Sequence, residues 1–119
     1  MSVVKELYEQ MNMDYEGVFQ RLGSDAVVQK FVIRFLDDPN FEKLRTGMEN
    51  KDAQEAFRAA HTIKGICLNL GFNPLYQSSA DLTEKLRDGQ MDGSEELFQK
   101  VEADYLELTQ AIRNTLMDK

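Results

Sequence analysis

The sequence predicts an all-α protein: an antiparallel four-helix bundle with short N-terminal helices that cap one of its ends. In each long segment, apolar residues recur at intervals of three and four, which places them on one face of a helix. Helix-capping residues and glycines separate these segments, and no segment has the pattern of a strand. The connections are short, so consecutive helices are expected to run antiparallel.

Two short helices are expected within residues 3–22. The first covers residues 3–11, and the second follows Asp14, a suitable N-cap, and ends at Gly23. Helices of this length are rarely stable alone in water. We therefore expect both to lie across one end of the bundle.

The predicted bundle covers residues 24–118, and its first helix starts with Ser24 as the N-cap. The apolar pattern of this helix extends to Asn50, but Pro39 interrupts it. Either Pro39 kinks one continuous helix, or Asp38 caps a new helix with Pro39 at its first position.

Three further helices complete the predicted bundle. The second covers residues 53–70, between Asp52 as N-cap and Gly71 as the terminating residue. Asn73 is expected to cap the third, with Pro74 at its first position. The last starts at Ser94 and runs nearly to the C-terminus. Its apolar residues repeat at alternating intervals of four and three: Leu97, Val101, Tyr105, Leu108, Ile112 and Leu116.

Composition limits the classes of function. The 119 residues are expected to form one domain, 1–119, and the net charge is −7. Such an acidic chain is poorly suited to bind nucleic-acid phosphates or an anionic membrane. No segment resembles a signal peptide or a membrane span, and the single cysteine, Cys67, excludes a disulfide within the chain. We therefore expect a cytoplasmic protein with no nucleic-acid or membrane partner.

The helix over residues 53–70 carries the only histidine of the chain, His61. His61 lies roughly 120° from the middle of the predicted buried face. Lys64 and Gly65, three and four residues later, are its neighbours on the helix surface. A glycine at this position leaves room beside the imidazole. The predicted buried face contains Ala53, Ala56, Phe57, Ala60, Ile63, Cys67 and Leu70.

This arrangement suits a histidine that takes up a phosphoryl group. Leu68 and Phe72 are expected to give the exposed ring an apolar border, and Arg58 could add positive potential one turn earlier. Two alternatives remain: an interaction module in which His61 is incidental, and a helical enzyme using His61 as a general base. The second is disfavoured, because no carboxylate at helical spacing would orient the imidazole.

The run AHTIKGICLNLGF resembles the signature of histidine-containing phosphotransfer (HPt) domains. The matching core is His61, Lys64, Gly65 and Gly71. Upstream, DYEGVFQRLGSDAVVQKFVIRFL is similar to the opening of those domains, a short helix, a glycine turn and an apolar helix. The resemblance extends from Asp14 to near the C-terminus.

The resemblance implies a phosphorelay. His61 would accept a phosphoryl group from a receiver-domain aspartate, or from a sensor kinase, and pass it to a response regulator. Lys64 would stabilise the phosphoryl charge and Gly65 would give access. Leu68 and Phe72 would belong to the docking surface, whereas Arg58 either joins them or is an ordinary solvated arginine.

One position departs from the family pattern. Thr83 occupies the place of a glutamine or glutamate that often reaches the histidine. It could form a shorter hydrogen bond, or be an ordinary surface threonine.

The sequence contains no glycine-rich nucleotide-binding motif and no room for an ATP-binding domain. We therefore expect a phosphocarrier rather than a kinase, without a cofactor of its own. Magnesium is expected only on the receiver partner. The expected partners are receiver domains of response regulators, a hybrid sensor histidine kinase, or both. We also expect a monomer, and the initial methionine and charged C-terminus suit a free-standing protein.

Overall fold

Every regular element that the structure describes is a helix. The structure is a computed structural model that describes residues 2–117. Its helices are α1 (Val3–Gln10), α2 (Tyr15–Leu22), α3 (Asp25–Phe35), α4 (Asn40–Glu49), α5 (Ala53–Leu70), α6 (Asn73–Leu86) and α7 (Glu95–Ile112), followed by a π-helical turn (Arg113–Met117). These elements confirm the all-α class. Residue 118, the predicted end of the bundle, lies outside the described residues.

Local capping explains most of the helix boundaries. The side chains of Asp14, Ser24 and Asp52 each accept a hydrogen bond from the backbone nitrogen three residues later. Gly23 and Gly71 end α2 and α5 with φ values of 91° and 69°, a conformation that glycine adopts at little cost. The predicted limits of the helix that carries His61 are thus confirmed.

The interruption at Pro39 separates two helices, so the alternative of one kinked helix is wrong. The new helix, α4, begins one residue later than predicted. Pro39 is the N-cap of α4 rather than its first residue, because its carbonyl accepts the first helical bond, from Lys43, at 3.1 Å. Asp38 Oδ1 accepts a hydrogen bond from the Asn40 backbone nitrogen at 2.9 Å.

The predicted N-cap of α6 is also wrong by one residue. Asn73 is the first residue of the helix and makes no side-chain capping bond. Phe72 takes the cap position because its carbonyl accepts the first helical bond, from Tyr76, at 2.8 Å. Helix α6 therefore begins directly after the turn in which Gly71 ends α5.

Helix α5 lies between α4 and α6, and α6 packs in turn against α7. A Cβ atom placed on Gly47 of α4 would lie 2.8 Å from the backbone nitrogen of Ala56, so α4 and α5 are in close contact. Aromatic rings join α4 to α7: Phe41 stacks on Tyr105 with centroids 4.1 Å apart and an interplanar angle of 7°.

The N-terminal helices pack on the rest of the molecule through buried residues. Val4, Leu7 and Tyr8 of α1 and Val18 of α2 are fully buried. Helix α1 contacts α3 and the C-terminal π-helical turn, and α2 contacts α3 and α5. Among residues 2–117, no helix combines the length and apolar character needed to cross a membrane.

Candidate functional site

His61 is exposed on α5, opposite a buried face. That face differs slightly from the predicted one: Ala53 and Phe57 are only half-buried, and Ala59 is buried. The buried residues of the helix are Ala56, Ala59, Ala60, Ile63, Cys67 and Leu70. The imidazole is therefore exposed to solvent, while the buried face of the same helix packs against the rest of the protein.

The imidazole of His61 stacks on the ring of Phe57, one turn earlier. The ring centroids are 5.9 Å apart and the planes differ by 12°. The guanidinium carbon of Arg87, the C-cap residue that follows α6, lies over the Phe57 ring, 5.5 Å from its centroid. Arg87 is held in turn by Glu84, whose Oε2 accepts hydrogen bonds from Nη2 at 2.7 Å and from Nε at 3.1 Å.

Sequence reasoning missed this group. Phe57 was assigned to the buried face, although its spacing of four from His61 would have permitted a stack. The contribution of Arg87 and Glu84 depends on how α6 lies against α5, for which the sequence contains no local signal.

Lys64 is half-buried, one turn beyond His61, and among residues 2–117 it makes no ion pair within 4.0 Å. The pKa of Glu84 is lowered, first by its hydrogen bond from Arg87, then by the charge of Arg87, and more weakly by the charge of Lys64. Lys64 and Glu84 therefore lie within electrostatic range of each other. The ammonium group has no carboxylate of the described residues in contact with it.

Gly65 leaves open space beside the histidine. It is exposed, and a Cβ atom placed on it would meet no atom within 4 Å. A shallow depression next to it is lined by Gly65, Leu68, Asn69 and Arg21 of α2. The predicted opening is therefore present, with a second cation at its edge that the sequence did not indicate.

The two predicted apolar docking residues differ in their exposure to solvent. Leu68 is 61% exposed, whereas Phe72 is fully buried. The left-handed turn at Gly71 directs Phe72 inward, where its ring lies 5.2 Å from that of Phe35 and 6.1 Å from that of Tyr8. The assignment of Phe72 to the docking surface was wrong.

Thr83 is fully buried, so its interpretation as a surface threonine was wrong. Its hydroxyl donates a 2.6 Å hydrogen bond to the carbonyl oxygen of Ser79, one turn earlier on α6. Because this bond uses the hydroxyl proton, Thr83 has no donor left to support His61. The neighbouring exposed residue, Glu84, accepts hydrogen bonds from Arg87 and does not contact His61 either.

Arg58 is exposed, one turn before His61. Its guanidinium lies 4.0 Å from the carboxylate of Glu55. Both side chains are well exposed, so this contact is weak. Arg58 remains available to a partner.

An apolar groove of about 300 Å³ runs between α3 and α5. Its exposed lining includes Phe31, with 38% of its surface accessible, and the half-buried Ile66. Its α5 residues, Ile66, Asn69 and Leu70, follow His61 along the helix, and sequence reasoning had not indicated this groove.

The remaining reactive side chains do not form a second centre. Cys67 is fully buried, and burial raises the pKa of its thiol, which suppresses the reactive thiolate. Within the described part of the chain, no three His, Cys, Asp or Glu side chains are grouped so that they could hold a metal ion.

The family model described as Hpt domain matches residues 28–115 of the chain. The matched region includes α4 to α7, most of α3, and His61 with its neighbours. No curated protein and no solved structure matches the chain significantly. Helices α1 and α2 lie outside the matched region.

Proposed function

Since this chain belongs to the Hpt domain family, and so has a general role in histidine phosphotransfer within phosphorelays, we propose that His61 carries the phosphoryl group. The observation that supports this assignment most directly is the exposed imidazole of His61, with the half-buried Lys64 and the open position of Gly65 one turn later on the same helix. It is the only histidine of the chain.

In the proposed reaction, the lone pair of one imidazole nitrogen attacks the phosphorus of an aspartyl phosphate on a receiver domain. A P–N bond forms, the P–O bond to the aspartate breaks, and the carboxylate leaves with the electron pair. In the onward step, the aspartate of a response regulator attacks the same phosphorus and the imidazole leaves. Such transfers depend mainly on positioning and on stabilising charge on the phosphoryl oxygens.

The neighbouring residues have distinct proposed roles. Lys64 provides a positive charge for the phosphoryl oxygens, and Gly65 lets the partner approach the ring. Leu68 contributes exposed apolar surface to the contact, and Arg58 adds positive potential beside it. The chain needs no cofactor in this scheme, since magnesium would be bound by the receiver.

We propose that the chain acts as a phosphocarrier, not a kinase, with receiver domains, a hybrid sensor kinase, or both as partners. It would act as a cytoplasmic monomer formed by one domain across residues 1–119. An antiparallel four-helix bundle is supported by the pairing of α4 with α7. Phe41 near the start of α4 stacks on Tyr105, whereas Met48 near its end lines a depression with Glu95 at the start of α7.

Incubation with a receiver domain carrying a labelled aspartyl phosphate tests the proposal. We expect label to move onto the chain as an acid-labile, alkali-stable adduct, and to be absent from His61→Gln. Gln99→Asn, at an exposed position of α7, is the control and should be labelled normally. Circular dichroism would establish that both variants fold. Failure of the wild-type chain to take label, or full labelling of folded His61→Gln, would refute the assignment and favour an interaction module.

A further inference from the structure

We propose that Phe57 is a positioning residue for His61: its ring fixes the plane of the imidazole and leaves the nitrogen-bearing edge open to the phosphoryl donor. This inference rests on the function proposed above. The direct observation is the stack of the two rings, 5.9 Å between centroids and 12° between planes. Both residues lie on α5 four positions apart, so the helix itself maintains their separation.

An exposed imidazole requires such a restraint. A side chain in solvent moves between rotamers on a picosecond to nanosecond timescale, and each rotamer places the ring nitrogens differently. Gly65, four positions after His61, has no side chain that could restrain the ring, and nothing lies within 4 Å of its Cβ position. Within the described residues, Phe57 is the aromatic ring that stacks on His61.

Phe57 is also contacted by Arg87, the C-cap residue of α6. Phe57 is half-buried, and the guanidinium of Arg87 lies over its ring at 5.5 Å. Oε2 of Glu84 accepts two hydrogen bonds from that guanidinium, and both of these side chains are at least half exposed. The orientation of the imidazole is therefore linked to the packing of α5 against α6.

Stacking restricts the orientation of the imidazole without occupying either of its nitrogen atoms. A hydrogen bond to His61 would occupy one nitrogen, whereas a contact with the ring face leaves both nitrogens available. Transfer of the phosphoryl group to the imidazole requires the attacking nitrogen to be aligned with the P–O or P–N bond that breaks. Phe57 would therefore affect the rate of the chemical step more than the affinity for the partner.

The test combines a structural and a kinetic measurement on two variants. Phe57→Leu keeps apolar volume but removes the ring, and Phe57→Tyr keeps the ring. The structural measurement is the NMR shift of the His61 ring protons, which the aromatic ring current displaces. The kinetic measurement uses two donors, a phosphorylated receiver domain and phosphoramidate. With phosphoramidate, its P–N bond breaks, ammonia leaves, and the phosphoryl group binds the imidazole nitrogen without any docked partner.

We expect Phe57→Leu to lose the ring-current displacement and to be phosphorylated about tenfold more slowly by both donors, with unchanged half-saturation for the receiver. Phe57→Tyr should keep both properties of the wild-type chain. If Phe57→Leu does not fold, Phe57→Met takes its place with the same expectation.

Several outcomes would overturn the positioning role. These are an unchanged rate in Phe57→Leu, a loss of rate with the receiver alone, which indicates docking, and a failure of Phe57→Tyr to restore the rate. Failure of the wild-type chain to accept phosphate from either donor would instead refute the proposed function, and the positioning role with it.

Discussion

The hydroxyl of Tyr8, in α1, donates a 2.5 Å hydrogen bond to the carbonyl oxygen of Leu70, in the last turn of α5. The two preceding carbonyls, of Leu68 and Asn69, accept hydrogen bonds from the guanidinium of Arg21, in α2. The last carbonyls of a helix lack partners within the helix itself. Helices α1 and α2, which lie outside the matched residues 28–115, therefore complete the end of the helix that carries His61.

Replacing Tyr8 with phenylalanine should destabilise the protein by about 1–3 kcal/mol, because the buried carbonyl of Leu70 loses its donor while the packing of the ring is kept. Urea unfolding followed by circular dichroism would measure this loss. Tyr76→Phe is a suitable control, since Tyr76 is half-buried and its hydroxyl makes no hydrogen bond with residues 2–117. Equal stability of the two variants would contradict the capping role of Tyr8.

Two helical glycines should respond oppositely to alanine. A Cβ atom at Gly47 would lie 2.8 Å from the backbone nitrogen of Ala56 and 3.1 Å from its Cα, and backbone atoms cannot move aside easily. Gly47→Ala should therefore cost about 1–3 kcal/mol of stability. Gly65→Ala meets open space and should stabilise the helix by about 1 kcal/mol. Thermal unfolding of the two variants would test the contrast, which fails if both shift the midpoint in the same direction.

A large side chain at Gly65 should separate stability from function. Gly65→Leu has room to fold, since nothing lies near the Cβ position, but its side chain would occupy the space beside the imidazole. We expect transfer from a phosphorylated receiver to slow by about a hundredfold, with little change in the unfolding midpoint. Labelling rates with Gly65→Ala as the intermediate case provide the measurement. A wild-type rate in Gly65→Leu would show that this side of the ring is not the route of approach.

The local parts of the structure could be predicted from the sequence, because each depends on a few neighbouring residues. Asp14, Ser24 and Asp52 cap helices through bonds to nitrogens three positions away, so the pattern contains all that is needed. The exposure of His61 followed from the helical period, because the buried face of α5 is regular.

The wrong sequence predictions concern residues beyond the end of a helix, where the helical period no longer applies, and residues at which two helices pack together. Phe72 was placed by continuing the helix past Gly71, but the left-handed turn there redirects it into the core. Thr83 was interpreted as a surface residue, but it belongs to the buried face of α6, next to Leu82. The group formed by Phe57, Arg87 and Glu84 requires the packing of α5 on α6, which one sequence does not reveal.

Lys64 should contribute charge rather than structure. Its side chain makes no ion pair with the described residues, so Lys64→Met should fold with nearly unchanged stability. We expect the rate of phosphoryl transfer to His61 to fall by about one to two orders of magnitude, and Lys64→Arg to recover part of it. The recovery should weaken as salt concentration rises, because the interaction is electrostatic. A wild-type rate in Lys64→Met would show that the assigned role is wrong.

Alkaline pH should destabilise the fold through Cys67. Burial raises the pKa of this thiol in the folded protein, and the charge of Asp38 adds to the effect, whereas an unfolded cysteine has a pKa of about 8.5. The unfolded chain therefore releases its proton first, and the stabilisation, fully present below that pH, is lost as pH rises, by up to about 1.4 kcal/mol per pH unit. Tyr8, whose pKa burial also raises, adds a similar loss only above pH of about 10.

Urea unfolding under reducing conditions between pH of about 7.5 and 9.5 would isolate the contribution of the thiol from that of the tyrosines. Cys67→Ala should be less stable than the wild-type chain at neutral pH, because it leaves a small cavity in the core. The free energy of unfolding of Cys67→Ala should vary less with pH than that of the wild-type chain. The two curves of free energy against pH should therefore converge as pH rises. Parallel curves would show that the thiol ionises as readily in the folded chain as in the unfolded one, and would contradict the tight packing of the buried face opposite His61.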